Sequence, residues 1–375
     1  MHSAYTIQVA LPKFNIWKRF KSGERRPITF DLEITARCNL NCRHCYINLP
    51  VNDIEAKSKE LSFVEVERIA DEALSLGAIW CLVTGGEPLL RSDFFDIYLC
   101  LKRKGFLVSV FTNATLITPQ HISLFKKYPP RDIEVSVYGI TKGTYERVTR
   151  QSGSFQRFMS GLKLLFDNKI KVRLKAMALR SNVHELPAIT KFCRRHTTDY
   201  FRFDPFLHLR FDGNHKRNKE IKSERLDAAK IVEIEQRDAH RFSSLLKNCD
   251  KFIVPQLVHR VSEYLFSCGA GNGGFYVSYD GHFRLCSSLC HPNCVFDLRK
   301  GSLVDAYQRF VVWVRNMRSD KSDFLQRCNR CPIINLCLWC PAHAYLETGR
   351  LDGFVEYFCQ VAQARKRALE KKKKR

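Results

Sequence analysis

Residues 29–45 read TFDLEITARCNLNCRHC, a short apolar run followed at once by three cysteines. The run predicts a buried β-strand, and Cys38, Cys42 and Cys45 stand in a C-x3-C-x2-C arrangement beyond its carboxyl end. A zinc site normally closes with a fourth Cys or His, and His44, between two of the ligands, would be strained in that role. A 4Fe-4S cluster held by three thiolates instead leaves one iron open to an exchangeable ligand. The spacing alone leaves both kinds of site open.

Strand-like and helix-like segments alternate from residue 30 to residue 206, the pattern of repeated βα units around a parallel sheet. Six strands are predicted, over residues 29–34, 78–83, 107–112, 132–137, 171–178 and 200–204. Val64, Ile69, Ala73 and Leu76 mark the apolar face of a helix predicted over residues 62–76. Six such units form a partial barrel or an open sheet, and in either fold ligands bind at the carboxyl ends of the strands.

A glycine-rich turn follows the second predicted strand. Gly85, Gly86, Glu87 and Pro88 come directly after the residues LVT, so a parallel sheet puts them beside the cysteine loop. Glycines leave backbone N–H and C=O groups open to a ligand, and the Glu87 carboxylate can accept hydrogen bonds from an ammonium group. Alone, this stretch is typical of a plain tight turn. Beside three cysteines it favours the iron-sulfur interpretation.

Together the two motifs resemble those of the radical S-adenosylmethionine (SAM) superfamily, over residues 30 to about 206. The resemblance implies a partial (β/α)6 barrel in which the three cysteines ligate a 4Fe-4S cluster and the glycine-rich turn binds the amino group of SAM. The open iron is then chelated by the amino and carboxylate groups of SAM. One electron from the cluster cleaves SAM to a 5′-deoxyadenosyl radical, which abstracts a hydrogen atom from the substrate. No residue in the sequence identifies a catalytic acid or base.

Four further residues are candidates for contact with SAM under this resemblance. His44 fills a position that is usually aromatic in the family, which is consistent with packing near the adenine. Ser136, at the end of the fourth predicted strand, matches a polar residue that often contacts the ribose or the methionine carboxylate, and is otherwise a small sheet residue. Arg150 and Lys175 can pair with the SAM carboxylate through charge-assisted hydrogen bonds, and are otherwise surface charges.

A second group of cysteines lies between residues 268 and 359. The C-x-x-C pairs in this group are by themselves a strong signal for bound metal, with structural zinc as the alternative to iron. A β-hairpin is predicted where GFYVSY and HFRLC flank Asp280-Gly281, a pair that suits a type I′ turn. Four cysteines outside both groups are predicted to be packing residues: Cys81, Cys100, Cys193 and Cys249.

The second group resembles the SPASM extension of radical SAM enzymes that modify peptides and proteins, an extension that binds two auxiliary 4Fe-4S clusters. The resemblance implies one cluster ligated by Cys328, Cys331, Cys337 and Cys359, and another ligated by Cys268, Cys286 and Cys340. Two residues separate Cys337 from Cys340, where the family usually has three, and this departure weakens the Cys340 assignment. The second cluster lacks an obvious fourth ligand. The alternatives are Cys290, Cys294 or an open iron able to bind substrate.

The composition is that of a globular protein of 375 residues, long enough for two packed units. Its formal net charge of +24 favours anionic partners such as acidic peptides or carboxylate-rich small molecules. The basic segment 364–375 lacks an accompanying nucleic-acid motif, so we predict a solvated tail and no nucleic-acid partner. The sequence shows no secretory signal and no membrane span, and its cysteines cluster as metal ligands do in a reducing compartment. We therefore expect a cytoplasmic location.

These assignments divide the chain into five segments: an N-terminal extension (1–29), a radical SAM core (30–206), a bridging segment (207–262), a SPASM domain with a β-hairpin and a C-terminal helix (263–363), and the basic tail (364–375). The extension is too short for an independent domain that binds leader peptides. A separate leader-binding partner is therefore expected beside a reductant such as flavodoxin or ferredoxin.

The SPASM resemblance implies a peptide or protein substrate, either a ribosomally made peptide that is matured or a sulfatase whose active-site residue is oxidised. Cofactor or tetrapyrrole biosynthesis is the alternative function. A non-enzymatic electron-transfer or zinc-binding protein is the third. It is disfavoured because electron transfer does not require the turn at residues 85–88 beside a site with three thiolates.

Overall fold

The structure, a computed structural model, describes residues 25–197, 203–247, 263–321 and 323–373. The strands in these residues are β1 (Thr29–Glu33), β2 (Trp80–Thr84), β3 (Leu107–Thr112), β4 (Asp132–Ser136), β5 (Val172–Met177), β6 (Phe203–Asp204), β7 (Gly274–Val277), β8 (His282–Arg284) and β9 (Val295–Asp297). They form one sheet in the order β6-β5-β4-β3-β2-β1-β7-β8-β9. The six predicted strands are confirmed, and residues 200–202 of the sixth lie outside the described part.

Helices follow the strands and cover one face of the sheet. In chain order the α-helices are α1 (Ile54–Lys59), α2 (Phe63–Ser75), α3 (Phe94–Arg103), α4 (Pro119–Lys127), α5 (Lys142–Thr149), α6 (Ser154–Asp167), α7 (Leu186–His196), α8 (His215–Glu224), α9 (Ala228–Arg237), α10 (Ala239–Lys247), α11 (Leu303–Asp305), α12 (Val311–Arg315), α13 (Pro341–Thr348) and α14 (Glu356–Lys373). Strands β1 to β6 are all parallel, as βα repeats require.

The sheet is curved, so that side chains on its concave face meet across several strands. Asp31 on β1 interacts electrostatically with Glu134 on β4 and with Lys175 on β5. Three strands separate β1 from β5, a span of about 19 Å in a flat sheet. Only a partly closed barrel brings these side chains together. The predicted partial barrel is therefore confirmed, and we call the space inside its concave face the lumen.

The apolar positions of the strands face the helices, and the polar positions face the lumen. Phe30 and Leu32 on β1 are buried in the main core, while Asp31 between them points to the opposite face. On α2 the predicted apolar face is wrong at one position, because Val64 is 72% exposed and Val66 is fully buried instead. Ser62 caps this helix by accepting a hydrogen bond from the Glu65 backbone.

The predicted hairpin is confirmed, but it also extends the barrel sheet. Strand β7 pairs in parallel with β1, and the Phe275 ring stacks on Phe30 with centroids 5.4 Å apart. The type I′ turn is wrong, because Gly281 has a positive φ of 83° whereas Asp280 does not. The Gly281 backbone N–H donates to Ser278 O at 2.9 Å, as in a three-residue loop that ends on a left-handed glycine.

The C-terminal helix α14 packs along α9 of the bridging segment. Arg365 is 2% exposed and donates to both carboxylate oxygens of Glu235, at 2.6 and 3.0 Å. Leu369 is also buried, so the helix continues into the segment predicted as a solvated tail. Across the described residues, no helix combines the length and the apolar character needed to cross a membrane.

Candidate active site and iron-sulfur centres

The cysteine loop after β1 is fixed by backbone hydrogen bonds to its neighbours. The N–H groups of Asn41 and Arg43 donate to carbonyls at the end of α5, at 2.9 and 3.1 Å. The Cys38 N–H donates to Leu49 O at 2.9 Å, which closes the loop on itself. Cys42 is buried, and Cys38 and Cys45 are half-buried. These backbone hydrogen bonds hold the loop in place and do not involve its thiols.

The three thiols of this loop interact electrostatically with one another in every pairing. Burial is the main cause that raises the pKa values of Cys38 and Cys42. A thiolate at these positions is therefore stabilised by the positive charge of a bound metal. Within the described residues, no three His, Cys, Asp or Glu side chains are close enough to share one metal ion. A four-iron cluster binds each thiolate through a different iron, and three thiols grouped in this way fit it.

The glycine-rich turn packs directly on the cysteine loop. The Gly86 N–H donates to Thr35 O at 2.7 Å, and the Glu87 N–H donates to Arg37 O at 2.9 Å. A Cβ atom added at Gly86 would lie 2.4 Å from Arg37 O, and one added at Gly85 would lie 2.4 Å from Thr35 O. Both glycines are therefore required for the close approach of two backbones.

The Glu87 carboxylate points into the protein. It is fully buried and accepts hydrogen bonds from Thr112 Oγ1 and from the Asn113 N–H, both at 2.7 Å. Burial raises its pKa to about 7, and these hydrogen bonds oppose the rise. The carboxylate thus ties the turn to the end of β3. The backbone of residues 85–88, with Pro88 opening a short 3-10 turn, is the part of this motif that faces the cysteine loop.

Two of the four SAM-contact candidates lie together near the triad. The His44 ring is 4.8 Å from the Tyr138 ring in an edge-on contact, and its Nδ1 atom is buried without a hydrogen-bond partner. Burial lowers the pKa of His44 to about 4, so the ring is neutral at physiological pH. Ser136 ends β4 and forms a side-chain hydrogen bond with Tyr138. These contacts join the His44 and Ser136 positions on one side of the cysteine loop.

The other two candidates already have carboxylate partners. Arg150 Nη1 lies 3.0 Å from Glu220 Oε2 on α8. Lys175 Nζ lies 2.9 Å from Glu134 Oε1 and 3.4 Å from the centre of the Phe111 ring, inside the lumen. A SAM carboxylate would have to compete with these pairs. The contact of either residue with SAM stays a prediction.

Sequence reasoning missed two arginines of the bridging segment that hold the cysteine loop. Arg217 Nη2 donates to Cys42 O at 2.8 Å, and Arg210, which is 4% exposed, donates to Asn48 Oδ1 at 3.0 Å. The sequence gives only a weak signal for these two arginines, because arginines close to acidic residues occur in many charged helices. Sequence reasoning also missed Asn113. Its signal is clearer, because Asn113 directly follows β3 at the ligand end of the sheet.

The C-terminal cysteines divide into the two sets that the SPASM resemblance implies. Every pair among one set of four thiols interacts electrostatically, and all four line one cavity: Cys328, Cys331, Cys337 and Cys359. In the other set, Cys286 interacts with both Cys268 and Cys340. The grouping fits one cluster with four thiolate ligands and a second with three.

The two candidate extra ligands of the second set, Cys290 and Cys294, have further neighbours. The Cys294 thiol interacts with Cys290, and its Sγ is 3.8 Å from Met317 Sδ. The Cys290 thiol faces Arg284. Three cysteines outside both sets, Cys81, Cys100 and Cys193, are buried as predicted, and Cys249 lies outside the described residues.

Residues 32–193 match the model of the radical SAM superfamily. The AdoMet-dependent heme synthase of Methanosarcina barkeri is 24% identical over 327 residues, which cover 84% of this chain and 92% of that protein. The antilisterial bacteriocin subtilosin biosynthesis protein AlbA of Bacillus subtilis is 27% identical over 325 residues, which cover 84% of this chain and 67% of AlbA.

The fold is also shared with a solved structure, Streptococcus suis SuiB bound to its precursor peptide SuiA. The TM-score is 0.65 at 16% identity, and the match covers 90% of this chain and 76% of SuiB. It therefore includes the cysteine-rich C-terminal region as well as the barrel. The chain therefore carries, over residues 32–193, the domain of the radical SAM superfamily, whose cofactors are a 4Fe-4S cluster and S-adenosylmethionine, joined to a C-terminal region that shares the fold of SuiB.

Proposed function

We propose that this enzyme modifies a peptide or protein, and that the acidic lining of the lumen carries this assignment. Asp31, Glu33 and Glu134 bring three carboxylates to the lumen, and the nearby Lys175 is paired with Glu134. Arg284 stacks over the Tyr276 ring at the edge of the same face. Three carboxylates thus stand against two basic groups, so this part of the lumen does not share the strongly positive charge of the whole chain, and it favours neutral groups over carboxylates.

The lumen carboxylates lie next to the triad. Tyr46, directly after Cys45, interacts electrostatically with Glu33 and with Asp31. We assign Cys38, Cys42 and Cys45 to the catalytic cluster and residues 85–88, with His44 and Ser136, to the binding of SAM. When bound, the cluster and SAM supply a 5′-deoxyadenosyl radical that abstracts a hydrogen atom from the substrate. Asp31 is then placed to orient the peptide group that approaches the triad, with the buried Glu33 behind it.

The auxiliary clusters and the protein partners belong to the same proposal. Cys328, Cys331, Cys337 and Cys359 hold one auxiliary cluster, and the set of Cys268, Cys286 and Cys340 holds the other. A flavodoxin or ferredoxin supplies electrons, and a separate partner presents the leader of a peptide substrate. AlbA, a bacteriocin biosynthesis protein, supports a peptide substrate because its similarity covers 84% of this chain.

Tetrapyrrole synthesis is the second candidate, because the alignment with the heme synthase covers 92% of that protein. A tetrapyrrole rich in carboxylates would face Asp31 and Glu33 with charges of the same sign. Because burial raises the pKa of each carboxyl to about 7, each retains a partial negative charge near neutral pH. This repulsion is the physical argument that ranks the peptide first.

The test presents both kinds of substrate to one enzyme. The anaerobically reconstituted protein, SAM and a strong reductant are incubated with a peptide encoded beside the gene, and separately with an iron tetrapyrrole that bears carboxylates. We expect 5′-deoxyadenosine and a peptide whose mass changes by whole hydrogen atoms or a small lost group at one residue or one crosslinked pair. Asp31→Asn should reduce peptide modification while SAM cleavage without substrate persists. Turnover of the tetrapyrrole with an unmodified peptide would replace this proposal by the second candidate.

A further inference from the structure

Helix α8 of the bridging segment places a guanidinium group against the cysteine loop. Arg217 Nη2 donates to Cys42 O at 2.8 Å and to Asn48 Oδ1 at 3.2 Å. The Arg217 side chain is 15% exposed, so little solvent screens its charge from the loop. This charge interacts electrostatically with Cys42 and with His44. One arginine thus acts on the loop by hydrogen bonds and by its field.

Asn48 connects Arg217 to two sulfur atoms of the triad. The Asn48 backbone N–H donates to Cys45 Sγ at 3.4 Å. The Asn48 side chain donates through Nδ2 to Leu40 O at 3.3 Å, and the Leu40 N–H donates to Cys38 Sγ at 3.4 Å. Arg217 therefore holds, through Asn48, two backbone N–H groups that point at sulfur. Hydrogen bonds to the sulfurs are among the factors that set the reduction potential of an iron-sulfur cluster.

The ion pairs around Arg217 leave one positive charge unbalanced. Arg217 Nη1 lies 2.6 Å from Glu220 Oε2, and the same oxygen lies 3.0 Å from Arg150 Nη1. Two guanidinium groups therefore share one carboxylate. Arg210, the other arginine on this loop, donates through Nε and Nη2 to the Asp212 carboxylate, so that pair adds no net charge.

An unbalanced positive charge beside a cluster favours the reduced state of that cluster. A 4Fe-4S cluster gains one negative charge on reduction, so a nearby cation stabilises the reduced state more than the oxidised state. The interaction is stronger where solvent is excluded. The side chains of Arg150, Glu220 and Arg217 are 23%, 24% and 15% exposed, which keeps solvent screening of this charge low.

We propose that Arg217 is a positioning residue that raises the reduction potential of the catalytic cluster, through its charge and through its hold on Asn48. This inference rests on the proposed assignment of Cys38, Cys42 and Cys45 to that cluster, and it does not depend on the substrate. Helix α8 lies beyond residues 32–193, so a segment outside the superfamily domain controls how readily the cluster is reduced.

The test is a redox titration of the anaerobically reconstituted, full-length protein without SAM, followed by electron paramagnetic resonance. The variant with Cys38, Cys42 and Cys45 changed together to Ala gives the signal of the auxiliary clusters, which is subtracted. Arg217→Gln should shift the one-electron equilibrium toward the oxidised catalytic cluster by about tenfold, or ~59 mV. Arg217→Lys keeps the charge and should retain most of the wild-type potential.

A second variant separates the effect of charge from a loosening of the loop. Glu220→Gln removes the shared carboxylate and leaves both guanidinium groups, so it should raise the potential where Arg217→Gln lowers it. Arg68→Gln is the matched control. Arg68 also pairs with a glutamate on its own helix, Glu72 at 2.7 Å, and donates to a distant backbone oxygen, Leu298 O at 2.7 Å, but these partners lie outside the cysteine loop. Its potential should equal that of wild type.

An unchanged potential in Arg217→Gln with full iron content would overturn the inference. A potential of Glu220→Gln at or below that of wild type would also overturn it, and this variant decides the question if Arg217→Gln fails to hold the catalytic cluster. Equal iron content in wild type and in the triple cysteine variant would instead refute the triad assignment, and the inference with it.

Discussion

The cysteine loop after β1 and the cysteine-rich C-terminal region are both assigned to iron-sulfur clusters, but their surroundings differ. The first donates backbone hydrogen bonds to carbonyls of α5 and accepts hydrogen bonds from the 85–88 turn and from Arg217, none of which involves a thiol. In the second, Cys328 ends a π-helical turn of five residues, and Cys337 directly follows a 3-10 turn of three residues. We infer that the first cluster enters a preformed loop, whereas the auxiliary clusters hold their own region together.

The strongest test of this difference compares variants of the two cysteine groups. Changing Cys38, Cys42 and Cys45 together to Ala should lower the iron content from about twelve to about eight per chain. SAM cleavage should fall below detection, while the unfolding temperature changes little. Cys331→Ala should retain some SAM cleavage, lose product formation and lower the unfolding temperature by about 2–3 °C or more, since lost ligation costs about 2 kcal/mol or more here.

The matched control is Cys193→Ala, which also removes a buried thiol, but one that belongs to neither group. Its iron content should equal that of wild type. Iron analysis, anaerobic calorimetry and quantification of 5′-deoxyadenosine give the comparison. A triad variant that unfolds at a much lower temperature than Cys331→Ala would contradict the inference. Stoichiometric zinc without iron in the wild-type protein would contradict the cluster assignment itself.

The sequence predicts the local part of this picture well. Strands β1 to β5 were found from periodicity, because each buries alternate residues against its own following helix. The sequence also predicts that the triad and the glycine-rich turn lie side by side, because β1 pairs in parallel with β2. The two auxiliary sets came from the family resemblance, since spacing alone cannot pair cysteines that are separated by a long segment.

What the sequence did not predict depends on long-range contacts. Pairing of β7 with β1 joins residues that are about 245 positions apart, and no local pattern reports it. Arg217 looks like any basic helix residue until its contact with Cys42 O is seen. The sequence predicts that the Glu87 carboxylate contacts a ligand. Sequence spacing cannot show that Thr112 and Asn113 already donate hydrogen bonds to this carboxylate.

A smaller effect tests whether the first loop is preformed. In Gly86→Ala the new Cβ would lie 2.4 and 2.5 Å from the carbonyl oxygens of Arg37 and Ala36, and neither backbone can move away without losing its hydrogen bonds. We expect a loss of stability of about 1–3 kcal/mol and a SAM dissociation constant raised by about tenfold or more. Gly143→Ala is the control, because no atom lies within 4 Å of its added Cβ. Equilibrium dialysis with SAM measures the difference, and unchanged binding by Gly86→Ala would show that the loop adapts.

The smallest effect concerns the carboxylate beneath this loop. Glu33 is 3% exposed, and burial raises its pKa to about 7 against the hydrogen bond from Tyr276. The folded protein therefore binds more protons than the unfolded chain between about pH 4.5 and pH 7. The stability associated with this proton is present at low pH and is lost as the pH rises through 7.

Glu33→Gln removes the titrating group. Between pH 5 and pH 8, the free energy of unfolding should therefore fall by about 1–3 kcal/mol less in this variant than in wild type. Urea unfolding under anaerobic conditions measures both curves, with the exposed Glu55→Gln expected to follow wild type. Parallel curves for wild type and Glu33→Gln would mean that Glu33 stays ionised in the folded protein, and the lumen would then carry its full negative charge toward the substrate.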